Sequence, residues 1–161
     1  MTSVTSSLAS HNAAARSGPA SRTALPSAIV VDDDPLFRTL CRGCLSQHYD
    51  VRVAADGHEA LKLALEQPPQ LVLLDLVMPG WDGLRTLRAI ASEPSLDQTQ
   101  VLVLTAEDAP EVCDRVSDAG AAGMLSKTQF SRDALLNAID AMSPTARGPR
   151  HVVRRVEPVL N

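Results

Sequence analysis

Acidic side chains cluster at Asp32-Asp33-Asp34 and recur at Asp75, while a hydroxyl stands at Thr105 and a lysine at Lys127. Three carboxylates meeting at one place repel one another: two unit charges about 4 Å apart interact by roughly 4 kcal/mol at an effective dielectric near 20. Such a cluster needs a cation. Oxygen-only ligands suit a hard ion, and an incomplete protein cage suits Mg²⁺, which keeps several waters and binds phosphate oxygens. Lys127 would add a second positive group. A divalent ion, a lysine and a hydroxyl around one aspartate describe phosphoryl transfer, with the aspartate as nucleophile and electrostatic clamps on the transferred group.

That chemistry requires distant stretches to converge, and the surrounding pattern supplies the means. Ala28-Ile29-Val30-Val31 is a short apolar run that ends in the three aspartates. Leu36, Phe37, Leu40, Cys41, Cys44 and Leu45 follow at the spacing of one helical face. Asp34 before Pro35 makes an N-cap ahead of a proline at the first helical position. Val51 to Ala54 reads as a strand and Glu59 to Glu66 as a helix with Leu61, Ala64 and Leu65 inward, stopped by Pro68-Pro69. Leu71 to Leu74 is a continuous apolar run, as expected of a strand buried on both faces, and it ends at Asp75.

A Met78-Pro79-Gly80 loop leads to a helix capped near Asp82, with Leu84, Leu87 and Ile90 inward. Val101 to Leu104 is a strand ending at Thr105, Pro110 to Ala119 a helix, and Gly123 to Leu125 a strand ending at Ser126-Lys127. Ser131 caps a last helix carrying Leu135, Leu136, Ile139 and Met142. Five strands alternating with five helices predict an α/β fold, a parallel sheet with helices on both faces. Ligands of such sheets bind outside the carboxyl ends of the strands. Four of the five strands deliver a polar or charged side chain to that rim.

The succession VVDDDP, LLDLVMPGWDG, VLTA and LSK resembles the receiver domains of bacterial response regulators, of the single-domain chemotaxis-regulator type. The resemblance covers residues 28–142. Order and spacing are more specific than any one motif: Asp75 stands 42 positions after Asp33, Thr105 30 after Asp75, and Lys127 22 after Thr105. It implies a flavodoxin-like, doubly wound five-stranded sheet in the order 2-1-3-4-5.

It also implies that Asp75 is the phosphoacceptor. Asp33 would ligate Mg²⁺ directly, Asp32 mostly through water, and Val77 through its backbone carbonyl. Thr105 would turn toward the phosphate and Lys127 pair with it, while Glu107 tunes hydrolysis of the acyl phosphate. The implied partners are a histidine kinase or histidine phosphotransfer protein as donor and a downstream protein effector. That effector would be met by the surface of the fourth helix, fifth strand and fifth helix. Dimerisation on phosphorylation and a cytoplasmic location are further expectations. Such a protein catalyses only its own phosphorylation and dephosphorylation and is otherwise no enzyme.

Two departures from the family pattern stand out. Thr128 follows Lys127 where proline, often cis, is usual, so the loop there is expected to be trans and less rigid. Met124 stands where an aromatic often rotates inward on activation, and a flexible thioether fills that space without an aromatic switch.

Residues 28–142 hold 18 Asp/Glu against 9 Lys/Arg, so the body is acidic although the whole chain carries only −4. That balance argues against nucleic-acid binding by the body itself. No apolar run approaches the roughly 18 residues that span a bilayer. Residues 1–27, rich in Ser and Ala with two Arg and no acid, share their composition with organellar transit peptides and with plain disordered tails, and the tail is preferred. Residues 143–161 read as an Arg/Pro-rich tail. Three cysteines make no disulfide framework, and Cys41 and Cys44 read as core residues of the first helix. His11, His48, His58 and His151 are scattered and none reads as catalytic. Trp81 reads as a partly exposed loop aromatic. A haloacid-dehalogenase-type hydrolase would want an acid two residues after the nucleophile, where this chain has Val77. A receiver fold used as a phosphorylation-independent adaptor, and the receiver portion of a DNA-binding regulator, are the alternative readings. The intact Asp33, Asp75, Thr105 and Lys127 weigh against the adaptor.

Overall fold

A computed structural model describes residues 24–107 and 109–142, and the backbone of 154–155. The elements run β1 (Ser27–Val31), α1 (Pro35–Leu45), β2 (Asp50–Ala54), α2 (Gly57–Glu66), β3 (Leu71–Asp75), α3 (Gly83–Ser92), β4 (Gln100–Thr105), α4 (Pro110–Asp118), β5 (Gly123–Ser126), α5 (Arg132–Ala141) and β6 (Arg154–Arg155). All pairings are parallel, in the order β2-β1-β3-β4-β5-β6. The expected five-stranded order 2-1-3-4-5 is therefore present. Within the segment 143–161, which reads as an Arg/Pro-rich tail, Arg154–Arg155 pairs with Gly123–Met124 at the sheet edge. The rest of that segment and most of 1–27 lie outside the described residues.

Alternation along the strands divides the core. Ile29, Val31, Val72, Leu74, Val101, Val103 and Met124 pack with residues of α2, α3 and α4 on one face. Ala28, Val30, Leu71, Leu73, Leu102, Leu104 and Leu125 pack with α1 and α5 on the other. Successive side chains of a strand point to opposite faces, so strands covered on both sides must be apolar throughout. Burial of each such Leu or Val stabilises by roughly 1.5–3 kcal/mol, which fixes the strand ends that carry the polar residues.

Carboxylates and a hydroxyl start four of the helices. Asp34, Asp56, Asp82 and Ser131 accept from the backbone N–H groups of Leu36, Glu59, Arg85 and Ala134, at 2.9, 2.9, 2.7 and 3.0 Å. Each cap satisfies a donor that the first turn leaves unpaired. Asp34 is thus a cap, as its place before Pro35 suggests.

The inward face of α1 needs correction. Cys41, Cys44 and Leu45 are buried, but Leu36 is 79% and Leu40 50% exposed. These two leucines lie at the side of the apolar arc that the sheet does not reach. Leu65 on α2, also expected inward, is 47% exposed.

Candidate functional site

The sheet register brings the polar strand ends together. Val31 pairs with Leu74, so Asp32 follows β1 at the level of Asp75, and Asp75 itself pairs with Leu104, one residue before Thr105. Thr105 pairs with Ser126, one residue before Lys127. Carboxylate oxygens of Asp32, Asp33 and Asp75 all lie within 4.8 Å of one another. Asp32 and Asp75 are buried and Asp33 is exposed. Three carboxylates, all oxygen donors, one of them facing solvent, fit a hard divalent cation that keeps part of its water shell.

Lys127 ties the buried carboxylates together. Its Nζ lies 2.6 Å from Asp32 Oδ2 and 2.9 Å from Asp75 Oδ2. The other Asp32 oxygen accepts from the Asp34 N–H at 2.9 Å, and the other Asp75 oxygen from the Val77 N–H at 3.2 Å. Burial pushes the Asp75 carboxyl above the usual carboxylate range, and the hydrogen bonds from Lys127 and Val77 offset this only in part. Burial pulls the Lys127 ammonium down, but its bonds to Asp32 and Asp75 outweigh that and leave it above the ordinary lysine value. Among the described residues, Lys127 is the cation in contact with the acid pocket, one positive charge beside three carboxylates.

Thr105 is fully buried, and its hydroxyl accepts from the Glu107 N–H at 3.1 Å. Glu107 itself is exposed at the rim, outside the carboxylate cluster. Met124 is buried in the cluster on the α4 side of the sheet. Val77 stands in the loop after β3 with its side chain 56% exposed. That loop is braced by α3, whose first residue, Gly83, donates its N–H to Leu76 O at 3.0 Å. A Cβ on Gly83 would come within 2.0 Å of the Asp75 carbonyl oxygen, so only glycine permits this approach.

Several supporting residues were not legible as such. Arg38 Nη1 donates to the Asp32 carbonyl at 2.5 Å, tying α1 to the acidic turn. Ser126 caps the 3₁₀ turn Lys127–Gln129, and its hydroxyl lies 2.8 Å from that of Thr128. The Lys127–Thr128 bond is trans. Phe37 and Phe130 meet edge to face at 5.0 Å, and the Lys127 ammonium lies 4.6 Å from the Phe37 ring centre. Thr128 in place of proline announces the trans bond and Ser126 before the lysine hints at the cap, but nothing in the sequence marks the Arg38 or aromatic contacts.

Other candidates stand apart. Cys41 and Cys44 are buried and unbridged, and burial, with Cys44 beside it, pushes the Cys41 thiol up to about 12. Half-buried Trp81 meets Arg85, whose guanidinium lies 4.7 Å from its ring, and His58 at 5.6 Å. Among the described residues no helix is long and apolar enough to cross a membrane.

Comparison with known proteins agrees with this geometry. Residues 28–140 match the family model of the response regulator receiver domain. A response regulator MprA from Mycolicibacterium vanbaalenii is 42% identical over 117 residues, 71% of this chain and 48% of that protein. This chain thus spans about half the length of the MprA relatives that it matches. A probable chemotaxis protein CheY from Rhizobium etli is 31% identical over 116 residues, 71% of this chain and 89% of that protein. The solved structure of Vibrio cholerae chemotaxis protein CheY4 superposes with a TM-score of 0.71 at 30% identity, over 74% of this chain and all of that one. With the site at the strand ends and the match running from β1 into α5, the chain belongs to the response regulator receiver domain family, the phosphorylation-dependent signalling modules of two-component systems.

Proposed function

We propose that this chain is a phosphorylation switch that takes a phosphoryl group onto Asp75 from a histidine kinase or a histidine phosphotransfer protein. The observation that carries the reading is the placement of Asp75. It is a buried carboxylate at the end of β3, within 4.8 Å of two further carboxylates and 2.9 Å from Lys127. In the reaction, an Asp75 carboxylate oxygen bonds to phosphorus as the phosphorus–nitrogen bond to the donor histidine breaks, and the histidine keeps the bonding pair. Asp32, Asp33, Asp75 and the Val77 carbonyl would hold Mg²⁺, which when bound neutralises charge on the phosphoryl oxygens.

The chain's own groups divide the remaining work. Lys127 shifts a donor from carboxylate to phosphoryl oxygen. Thr105 gives up its contact with the Glu107 N–H, offers its hydroxyl to the phosphate, and draws the β4–α4 loop with it. Exposed Glu107 stands where it biases the water that later hydrolyses the acyl phosphate. The phosphoryl group adds roughly 1.5–2 negative charges, enough to bias a two-state surface. That surface is α4–β5–α5, and its change alters which effector binds. Buried Met124 responds by repacking within the α4-side core, without an aromatic rotation. Exposed Leu36 and Leu40 on α1, close to the acidic turn, offer an apolar seat for the phosphodonor. The reactions we assign to it are its own phosphorylation and dephosphorylation, and a kinase donor fits a cytoplasmic location.

The test is intact mass after incubation with Mg²⁺ and a small acyl-phosphate donor, for the parent and Asp75→Asn. One phosphate on the parent and none on the variant supports the switch. Equal uptake by both, or none by the parent with chemical or kinase donors, overturns it.

A further inference from the structure

We infer that Phe37 is a positioning residue for Lys127, its ring face backing the ammonium whose opposite side pairs with Asp32 and Asp75. The inference rests on the reading of Asp75 as phosphoacceptor and names a residue that prepares that site.

The Lys127 ammonium is held between two unlike surfaces. Carboxylate oxygens of Asp32 and Asp75 lie 2.6 and 2.9 Å from Nζ, and the Phe37 ring centre lies 4.6 Å from it. An aromatic face is negative and attracts a cation without consuming its N–H donors in strong hydrogen bonds. The donors thus remain directed at oxygens, those of the carboxylates at rest and those of a phosphoryl group once Asp75 carries one. A lysine on a flexible stem would otherwise sample many rotamers.

The ring is itself fixed relative to the acids. Phe37 is the third residue of α1, a helix pinned by the Asp34 cap and by Arg38 Nη1 on the Asp32 carbonyl. The ring also meets Phe130, edge to face, at 5.0 Å with an interplanar angle of 61°. Phe130 closes the 3₁₀ turn that Lys127 begins, its N–H donating to the Lys127 carbonyl at 3.3 Å. The aromatic pair therefore fastens the lysine's own segment to α1. Thr128 gives that segment no ring constraint on φ, so the fastening comes from side chains.

Phe37→Leu keeps apolar bulk and removes the face, whereas Phe37→Tyr keeps the face. The rate of Asp75 phosphorylation by a small acyl-phosphate donor is expected to fall roughly twofold to thirtyfold in Phe37→Leu. It should stay near the parent's in Phe37→Tyr, with both variants melting as cooperatively as the parent. Independently, the Lys127 Cε protons of the parent should resonate upfield through the ring current, retained in Phe37→Tyr and lost in Phe37→Leu. The parent's shift needs no variant, so misfolding of Phe37→Leu does not shelter the inference. Parent protons at ordinary lysine positions, a Phe37→Leu rate equal to the parent's, or equal slowing in both variants each overturn it. A parent that is phosphorylated on Asp75 while Phe37→Leu matches it sinks this inference alone. A parent that takes up no phosphate sinks the phosphoacceptor reading and this inference together.

Discussion

Replacing Lys127 with alanine would strip the only cation contact that, among the described residues, two buried carboxylates have, Asp32 and Asp75 being 1% and 4% exposed. Removing one partner of a buried ion pair costs roughly 3–5 kcal/mol, because the remaining charge is left without compensation. The Lys127 side chain is 20% exposed, so water screens part of the effect. That brings the expected cost to about 2–3 kcal/mol when no metal is present. For a domain of this size each kcal/mol shifts Tm by roughly 4 °C, so Lys127→Ala should melt about 8–12 °C below the parent in EDTA. A cation that binds only the folded state at a hundred times its Kd contributes about 2.7 kcal/mol. Saturating Mg²⁺ should therefore raise the variant's melting point more than the parent's, since in the variant the ion no longer competes with the ammonium. Circular dichroism melts in EDTA and in Mg²⁺ read both quantities. A variant melting within roughly 2 °C of the parent in EDTA, or an equal response to Mg²⁺, would refute the account of Lys127 as the pocket's internal counter-ion.

Three further expectations follow from the same geometry. The raised pKa of Asp75 means that the folded state binds its proton more tightly than the unfolded state does. The charged form thus detracts from stability once pH exceeds the ordinary aspartate value of about 3.9, and does so fully above the raised folded value. Asp75→Asn should then unfold at higher urea than the parent near neutral pH in EDTA, with the difference closing at acid pH; a lower midpoint at neutral pH contradicts the burial argument. Gly83→Ala places a Cβ 2.0 Å from the Asp75 carbonyl, so it should cost roughly 1–3 kcal/mol or more in chemical denaturation. Cys41, held near 12, should resist alkylation until the protein unfolds, while half-buried Cys113 reacts first; peptide mapping of the labelled thiols decides.

Much of this was readable because burial on two faces leaves a strand no choice but apolar residues. Leu71 to Leu74 and Val101 to Leu104 announce themselves as runs, and the first polar residue after each run marks the rim. Asp75 and Thr105 stand at those points, with Lys127 one residue after Ser126 ends β5. The helix starts were equally legible, since Asp34, Asp82 and Ser131 are cap residues whose side chains do bind the first turn.

What escaped depends on tertiary distance. Leu36 and Leu40 belong to the apolar arc of α1 by periodicity, yet the sheet covers only the part carrying Cys41, Cys44 and Leu45. No sequence rule pairs Phe37 with Phe130, 93 positions away, or sets that pair against an ammonium. A two-residue strand such as Arg154–Arg155 has no periodicity to detect.

The most direct test of the central claim is to trap the acyl phosphate chemically. The protein would be phosphorylated with a small donor and Mg²⁺, reduced with borohydride, digested and sequenced by mass spectrometry, because reduction turns a phosphoaspartate into homoserine. The account predicts homoserine at Asp75 and at no other aspartate. Homoserine at Asp32 or Asp33 instead, or none despite measured phosphate uptake, would contradict it.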